Sequence, residues 1–313
     1  MPTDSHKNAV YAFAKDGIGE IEDFGLRLAK YFVGTAPTVE RARITVQQHR
    51  WDRVNDGAFI RAGQDIRTAT ITYDGSSATA VSGLTGLALF QTRGSQFHTY
   101  FKDEYTTLGE TKDRTYATLI TADWRHERFV EGHDWTGSHA RLRESLIDTF
   151  TTIASSSTQQ VLYTMGERAL RTCPGIVEIR LNMPNLHHLH IDLTPFGLDN
   201  EEEVLYPSDR PYGLMEATVL RADAPRPDWL GGDRRTPAKL DGGIVQQSNN
   251  YRPPGELDKS DAGEPNSVPT MAWLFTLRPT FRTQKCTILP MTVSSLRLGW
   301  NRTRHHCRSS PAD

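Results

Sequence analysis

Residues 141–183 read RLRESLIDTFTTIASSSTQQVLYTMGERALRTCPGIVEIRLNM, and the pattern within them changes twice. Leu142, Leu146, Ile147 and Phe150 recur at helical spacing; a triple serine at 155–157 then offers N-caps, and Leu162, Met165, Ala169 and Leu170 line a second helix face. Pro174-Gly175 stops that helix, and 176–183 reads as a strand. Two consecutive amphipathic helices followed by a strand predict helices laid on a sheet.

Upstream, a strand is expected over about 116–126. Further back, 68–73 alternates, Asp74-Gly75 is a hairpin signal, and another strand starts near Ala78. Ala42, Ile44 and Val46 share one strand face. Residues 7–14 (KNAVYAFA) alternate well enough for a strand, and Ile21, Phe24, Leu28 and Tyr31 then mark a helix ending near Val33. Phe97, Phe101, Tyr105 and Leu108 also repeat with helical spacing. Downstream, strands are expected at 186–193 and 213–221. The fold class is therefore α+β, an antiparallel sheet with helices on one face. The halves read as a loose repeat of hairpin, helices and hairpin. The first copy is short by a strand, so its open edge calls for cover by another subunit or by a preceding N-terminal segment.

Composition sets broad limits. The chain has 313 residues, 37% hydrophobic, with 36 basic and 38 acidic side chains, which excludes collagen-like, coiled-coil and wholly disordered classes. No apolar run reaches the length that crosses a bilayer, and the first eight residues lack a signal-peptide pattern, so a cytoplasmic location is expected. The three cysteines fit a reducing compartment. Residues 225–313 differ from the rest: they hold 10 of the 17 prolines and 13 Lys/Arg against 8 Asp/Glu, leaving 23 against 30 in residues 1–224. The boundary is placed at Ala224. The stretch beyond it is expected to be poorly ordered, its prolines breaking any helix or central strand.

Four blocks carry a resemblance. Thr3-Asp4-Ser5-His6-Lys7-Asn8 is the first, and the run from Gly94-Ser95-Gln96-Phe97 through Asp103-Glu104-Tyr105-Thr106-Thr107-Leu108 to Arg114 is the second. The serine-rich segment ending at Gln159 and Met183-Pro184-Asn185-Leu186-His187 complete the set. In order and spacing, over about residues 3–222, they resemble the urate oxidase (uricase) family. Gln91, Thr92 and Arg93 depart from its usual Lys, Ser/Thr and Thr. The resemblance implies tandem tunnelling-fold (T-fold) units whose barrel forms by oligomerisation, usually a homotetramer with active sites between subunits. It further implies oxidation of urate by O2 to 5-hydroxyisourate and hydrogen peroxide in purine catabolism, with no metal or organic cofactor.

Urate is a flat, anionic purine, so its site needs a stacking ring, a cation and an amide that both donates and accepts. By the resemblance these are Phe97, Arg114 and Gln159. Thr158 contributes through its backbone amide, and Leu108 either walls the pocket or packs in the core. Asn185 is implied to hold O2 or water above the purine, and His187 to join a proton relay with a threonine and a lysine. Thr3 is the family's catalytic threonine and Asp4 a substrate contact, both offered to the neighbouring subunit. The relay lysine has no match in residues 1–313, because it belongs to a strand ahead of Thr3; Lys7 aligns with a different family lysine. The expectation is thus an N-terminally truncated uricase of reduced activity. A catalytically weak urate or purine binder and a pterin- or purine-processing T-fold enzyme are the alternatives. Neither nucleic acid nor membrane is expected as a partner. A metal site on His188, His190 and Asp192, from one strand face, is the rival reading of the histidine cluster, and the cluster His305-His306-Cys307 is a weaker one.

Overall fold

The computed structural model describes residues 2–154, 156–208 and 213–224, together with the strands Met271–Thr276 and Lys285–Leu298. Helices α1 (Thr3–Lys15) and α2 (Ile21–Thr35) come first, then β1 (Val39–Asn55), β2 (Ala58–Arg61), β3 (Ile66–Tyr73), β4 (Ala78–Phe97) and β5 (Thr111–His126). Helices α3 (Trp135–Thr152) and α4 (Thr158–Thr172) precede β6 (Ile176–Asn185), β7 (His188–His190), β8 (Leu205–Pro207) and β9 (Gly213–Leu220). The last strands are β10 (Met271–Thr276) and β11 (Lys285–Leu298). The antiparallel main sheet runs β10-β11-β1-β3-β4-β5-β6-β9, with β2 also on β1 and β7–β8 apart as a pair. Among the described residues the sheet does not close on itself, and β10 and β9 form its edges.

One transverse row shows why the helices lie on one side. Val46, Ala69, Ser82, Trp124, Ile179 and Val219 are successive partners across β1, β3, β4, β5, β6 and β9. Period-two alternation adds Ile44, Ile71, Ala80, Leu84, Ala122 and Leu181 to the same face, all buried. Helices α1 and α2 form one core with β1, β3 and the start of β4; α3 and α4 form the other with β4, β5, β6 and β9. Each core has a close approach. A Cβ at Gly25 of α2 would stand 2.7 Å from Ile71, and one at Gly166 of α4 would stand 2.4 Å from Val219.

A buried polar chain runs between the cores. Fully buried Glu22 accepts from Arg67 Nη2 at 2.7 Å and from Ser82 Oγ at 2.7 Å. Ser82 in turn meets His126 Nε2 at 3.1 Å, and Arg67 also donates to Glu20 and Thr136. Trp135, the first residue of α3, donates to Asp23 of α2 at 3.1 Å. Burial raises the Glu22 pKa against the pull of Arg67, and it pushes His126 down to about 3.

Four expectations are corrected. Residues 7–14 are helical, not a strand: Ala9, Val10 and Ala14 are buried against α2, and Asp4 bonds Lys7 and Asn8 one turn on. A short alternation containing three alanines fits either period. The helical spacing over 95–108 ends instead in a strand and a loop. Asp103 and Thr106 close a local turn, and Thr99 takes a left-handed φ of 60°, so the helix pattern is coincidental. The strand at 186–193 is reduced to three residues, since Asp192 turns the chain by accepting from Thr194. Finally, the prolines beyond 224 do not exclude a central strand. β11 lies between β10 and β1, and at Pro290, which has no N–H, the pairing with β1 is interrupted between Val46–Met291 and His49–Ile288.

Candidate active site

Of the residues singled out in the sequence, Phe97, Arg114, Thr158 and Gln159 lie where β4 ends, β5 begins and α4 starts. A long antiparallel ladder carries β4 and β5 past the body of the sheet, pairing Ser95 with Arg114 and Phe97 with Thr111. Arg114 Nε donates to Ser95 Oγ at 3.4 Å, and its guanidinium carbon lies 5.0 Å from the centre of the Phe97 ring. Tyr100 stacks on Phe97 at 4.5 Å between centroids, and its hydroxyl donates to the Leu108 carbonyl at 2.5 Å. Sequence reasoning missed Tyr100 and Ser95; the only signal for them was their proximity to Phe97 in the chain.

Arg114 is half-buried, and among the described residues no carboxylate pairs with it. Burial lowers its pKa. An aromatic face beside such a planar cation suits a flat anion.

The N-terminus of α4 is tied to this corner by the His98 amide, which donates to the Ser156 carbonyl at 3.2 Å. Ser157 is the N-cap, its hydroxyl accepting from the Gln160 amide at 3.2 Å. Thr158 and Gln159 therefore occupy the first turn, where backbone amides have no intrahelical acceptor and favour anions. Thr158 is buried and its hydroxyl donates to Gln159 Oε1 at 3.3 Å.

Asn185 and His187 reach the same edge of β5 by another route. Leu186, between them, donates its amide to the Ala117 carbonyl at 2.9 Å, three residues along from Arg114. Asn185 ends β6 opposite Gly213, and the His187 carbonyl accepts from Ser208. The remaining predicted residues fall elsewhere. Leu108 is 63% exposed, which removes the core-packing alternative. Thr3 and Asp4 begin α1 and are exposed, and Asp4 is held by Lys7 at 3.0 Å, its pKa lowered by that partner. Within one chain they do not join the Phe97–Arg114 corner.

The histidine cluster is dispersed. His188 Nδ1 bonds the Leu186 carbonyl, His190 Nε2 the Asn200 carbonyl, and Asp192 caps Thr194. Among the described residues no three His, Cys, Asp or Glu side chains gather as a metal-holding group. His305, His306 and Cys307 lie outside the described residues. No described helix is long and apolar enough to cross a membrane.

Comparison with known proteins shows what the chain is similar to. A family model described as Uricase matches residues 1–72 and 80–216. Uricase from Arthrobacter globiformis is 44% identical over 233 residues, covering 73% of this chain and 76% of that protein. Uricase from Oryctolagus cuniculus is 32% identical, with 71% and 78% covered. The crystal structure of the Arthrobacter globiformis uricase superposes with a TM-score of 0.68 at 43% identity, over 73% of this chain and 79% of that one. A uricase structure from Bacillus fastidious, at 22% identity, a TM-score of 0.63 and coverage of 72% and 75%, shares the fold.

Proposed function

The chain belongs to the uricase family, and from that premise we propose that it oxidises urate with O2 and water to 5-hydroxyisourate and hydrogen peroxide. The observation that carries this reading is the half-buried Arg114 guanidinium, without a carboxylate, beside the Phe97 ring. Arg114 holds the urate anion through its carbonyl oxygens, Phe97 stacks on the purine, and Gln159 pairs with the donor–acceptor edge. The first-turn amide of Thr158 adds a donor.

The reaction removes two electrons and a proton from the urate monoanion. O2 takes up the two electrons with that proton and one more from the medium and leaves as hydrogen peroxide, and water adds across the oxidised ring to supply the hydroxyl at C5. Asn185 would hold O2, and then the water, above the ring, and His187 would pass protons from that point. Thr3 and Asp4 would enter from a neighbouring subunit, which reconciles their distance from Arg114 in one chain with a role in the site. Two features support contact with a neighbouring subunit, which the family resemblance would make a homotetramer. The sheet has two edges among the described residues, and Phe101 and Tyr105 are 90% and 80% exposed on the loop beside the site. A catalytically weak urate binder is the second reading, in which the Phe97–Arg114 corner of one chain holds urate without Thr3 from a neighbour.

The test is urate consumption and peroxide release by the purified full chain, with Arg114→Ala beside it. Loss of a charged, bidentate hydrogen bond should weaken urate binding by roughly 10- to 100-fold. Urate binding without peroxide would select the binder. Absence of both would remove the proposal.

A further inference from the structure

The two halves of the sheet follow one plan. In the second repeat the hairpin β4–β5 is followed by α3 and α4 and then by β6 and β9, and the spatial order is β4-β5-β6-β9. In the first repeat α1, α2, β1 and β3 correspond to α3, α4, β6 and β9. The position of the leading hairpin, on the outer edge of β1, is held by β10 and β11 in the order β10-β11-β1-β3.

The correspondence extends to direction and register. The second strand of each hairpin neighbours the strand that follows the helices, and both pairs are antiparallel. His126, the last residue of β5, is partner to Ile176, the first of β6; Leu298, the last of β11, is partner to Val39, the first of β1. Residue types also match. Met291, Val293 and Leu296 stand opposite buried Val46, Ile44 and Ala42, while Thr292, Ser295 and Arg297 stand opposite Thr45, Arg43 and Arg41. The register shift between Arg43 and Ile44 is why Val293 and Leu296, partners of Ile44 and Ala42, stand three apart in the sequence. On β10, Met271 and Trp273 are partners of Val293 and Met291. A slip by one residue would end this matching of residue types.

The reach is ample. Seven inter-strand steps from β9 to β10 span roughly 34 Å, whereas the 50 residues 221–270 can extend to about 170 Å. The family match ends at residue 216, so nothing in it accounts for this hairpin.

We propose that the hairpin β10–β11 completes the first repeat in cis, occupying on β1 the place that β4–β5 occupies on β6. The first repeat is thereby assembled from residues 3–73 and 271–298, and the β1 edge is closed to strand addition by a second copy of the chain.

The test uses the full chain with Cys286→Ser and Cys307→Ser, leaving buried Cys173. Thr45→Cys with Thr292→Cys places thiols on register partners; Thr45→Cys with Thr287→Cys, whose partner is Arg50, is the control. Under mild oxidation the first pair should form a disulfide within one chain, and the control pair should stay free. A disulfide joining two chains would put a second copy on the edge and overturn the proposal. So would equal cross-linking of both pairs, or none in either. An independent reading is amide deuterium exchange in Thr292→Pro/Val293→Pro, which removes one N–H from each side of β11. Residues 39–46 should exchange about tenfold faster or more, with β6 unchanged as the folding control. Unaltered exchange over 39–46 would also overturn it.

Discussion

The second repeat is drawn from one unbroken stretch, 78–220, and buries an ion pair between its own strands, Arg125 of β5 with Glu178 of β6 at 3.0 Å; the first joins distant stretches and carries Glu22 and Arg67 at its inner border. The Phe97–Arg114 corner belongs to the second repeat, and Thr3 and Asp4 belong to the first. The same packing plan has thus been divided between two tasks. One repeat presents a stacking ring and a cation, while the other supplies the seam and, in our proposal, residues for a neighbour's pocket.

The seam is the place to break that comparison most severely. Glu22→Ala would leave the Arg67 guanidinium buried with only partial compensation from Glu20, at a cost of about 3–5 kcal/mol. Denaturant unfolding would measure it, and a loss below about 1 kcal/mol would show that the border is not held by this pair. His126 gives the next effect. Its folded pKa of about 3 lies below the ordinary 6.5, so between those values the unfolded chain binds a proton that the folded chain refuses. Stability should fall by about 1.4 kcal/mol for each pH unit lowered within that window. Glu22 titrates with the opposite sign, since burial raises its pKa above the ordinary 4.5. The histidine contribution is therefore read as the difference in pH slope between the unmodified chain and His126→Gln.

The likeness of the repeats can be sharpened at their glycines. Gly25→Ala and Gly166→Ala each force a Cβ onto a strand side chain and should each cost about 1–3 kcal/mol. Unequal thermal shifts, with one near zero, would show that the helices are not equivalently seated. Asp4→Ala should change folding stability least, because the group is exposed. If it does enter a neighbour's pocket, urate turnover falls while the unfolding midpoint stays fixed; unchanged turnover would confine Asp4 to the surface of α1.

Most of the sheet was legible because burial on one face imposes alternation, as at Ala42, Ile44 and Val46 or along Thr68–Tyr73. Helices α2, α3 and α4 were legible through long apolar stripes, although in α2 it is Phe32 rather than Tyr31 that turns inward. Helix α1 was not, since eight small and mixed residues satisfy both periods until α2 selects one. The loop after Phe97 mimicked a helix because Phe101, Tyr105 and Leu108 are spaced for a face that they never bury; all three are exposed. Phe97, Arg114, Thr158 and Gln159 were found through the resemblance, but it took the β4–β5 ladder and the His98–Ser156 bond to bring them to one corner.

By itself, then, the sequence determined the inward faces of β1, β3, α3 and α4 and which family the chain resembles. The tertiary structure decided which elements meet: that Glu22 finds Arg67 and Ser82, that Thr3 stands apart from Arg114, and that β11 lies along β1. The reason is physical. Side-chain period reports the solvent on either side of an element, whereas a strand's edge offers the same backbone donors and acceptors to any neighbour, so its partner is chosen only when register, reach and burial are satisfied together.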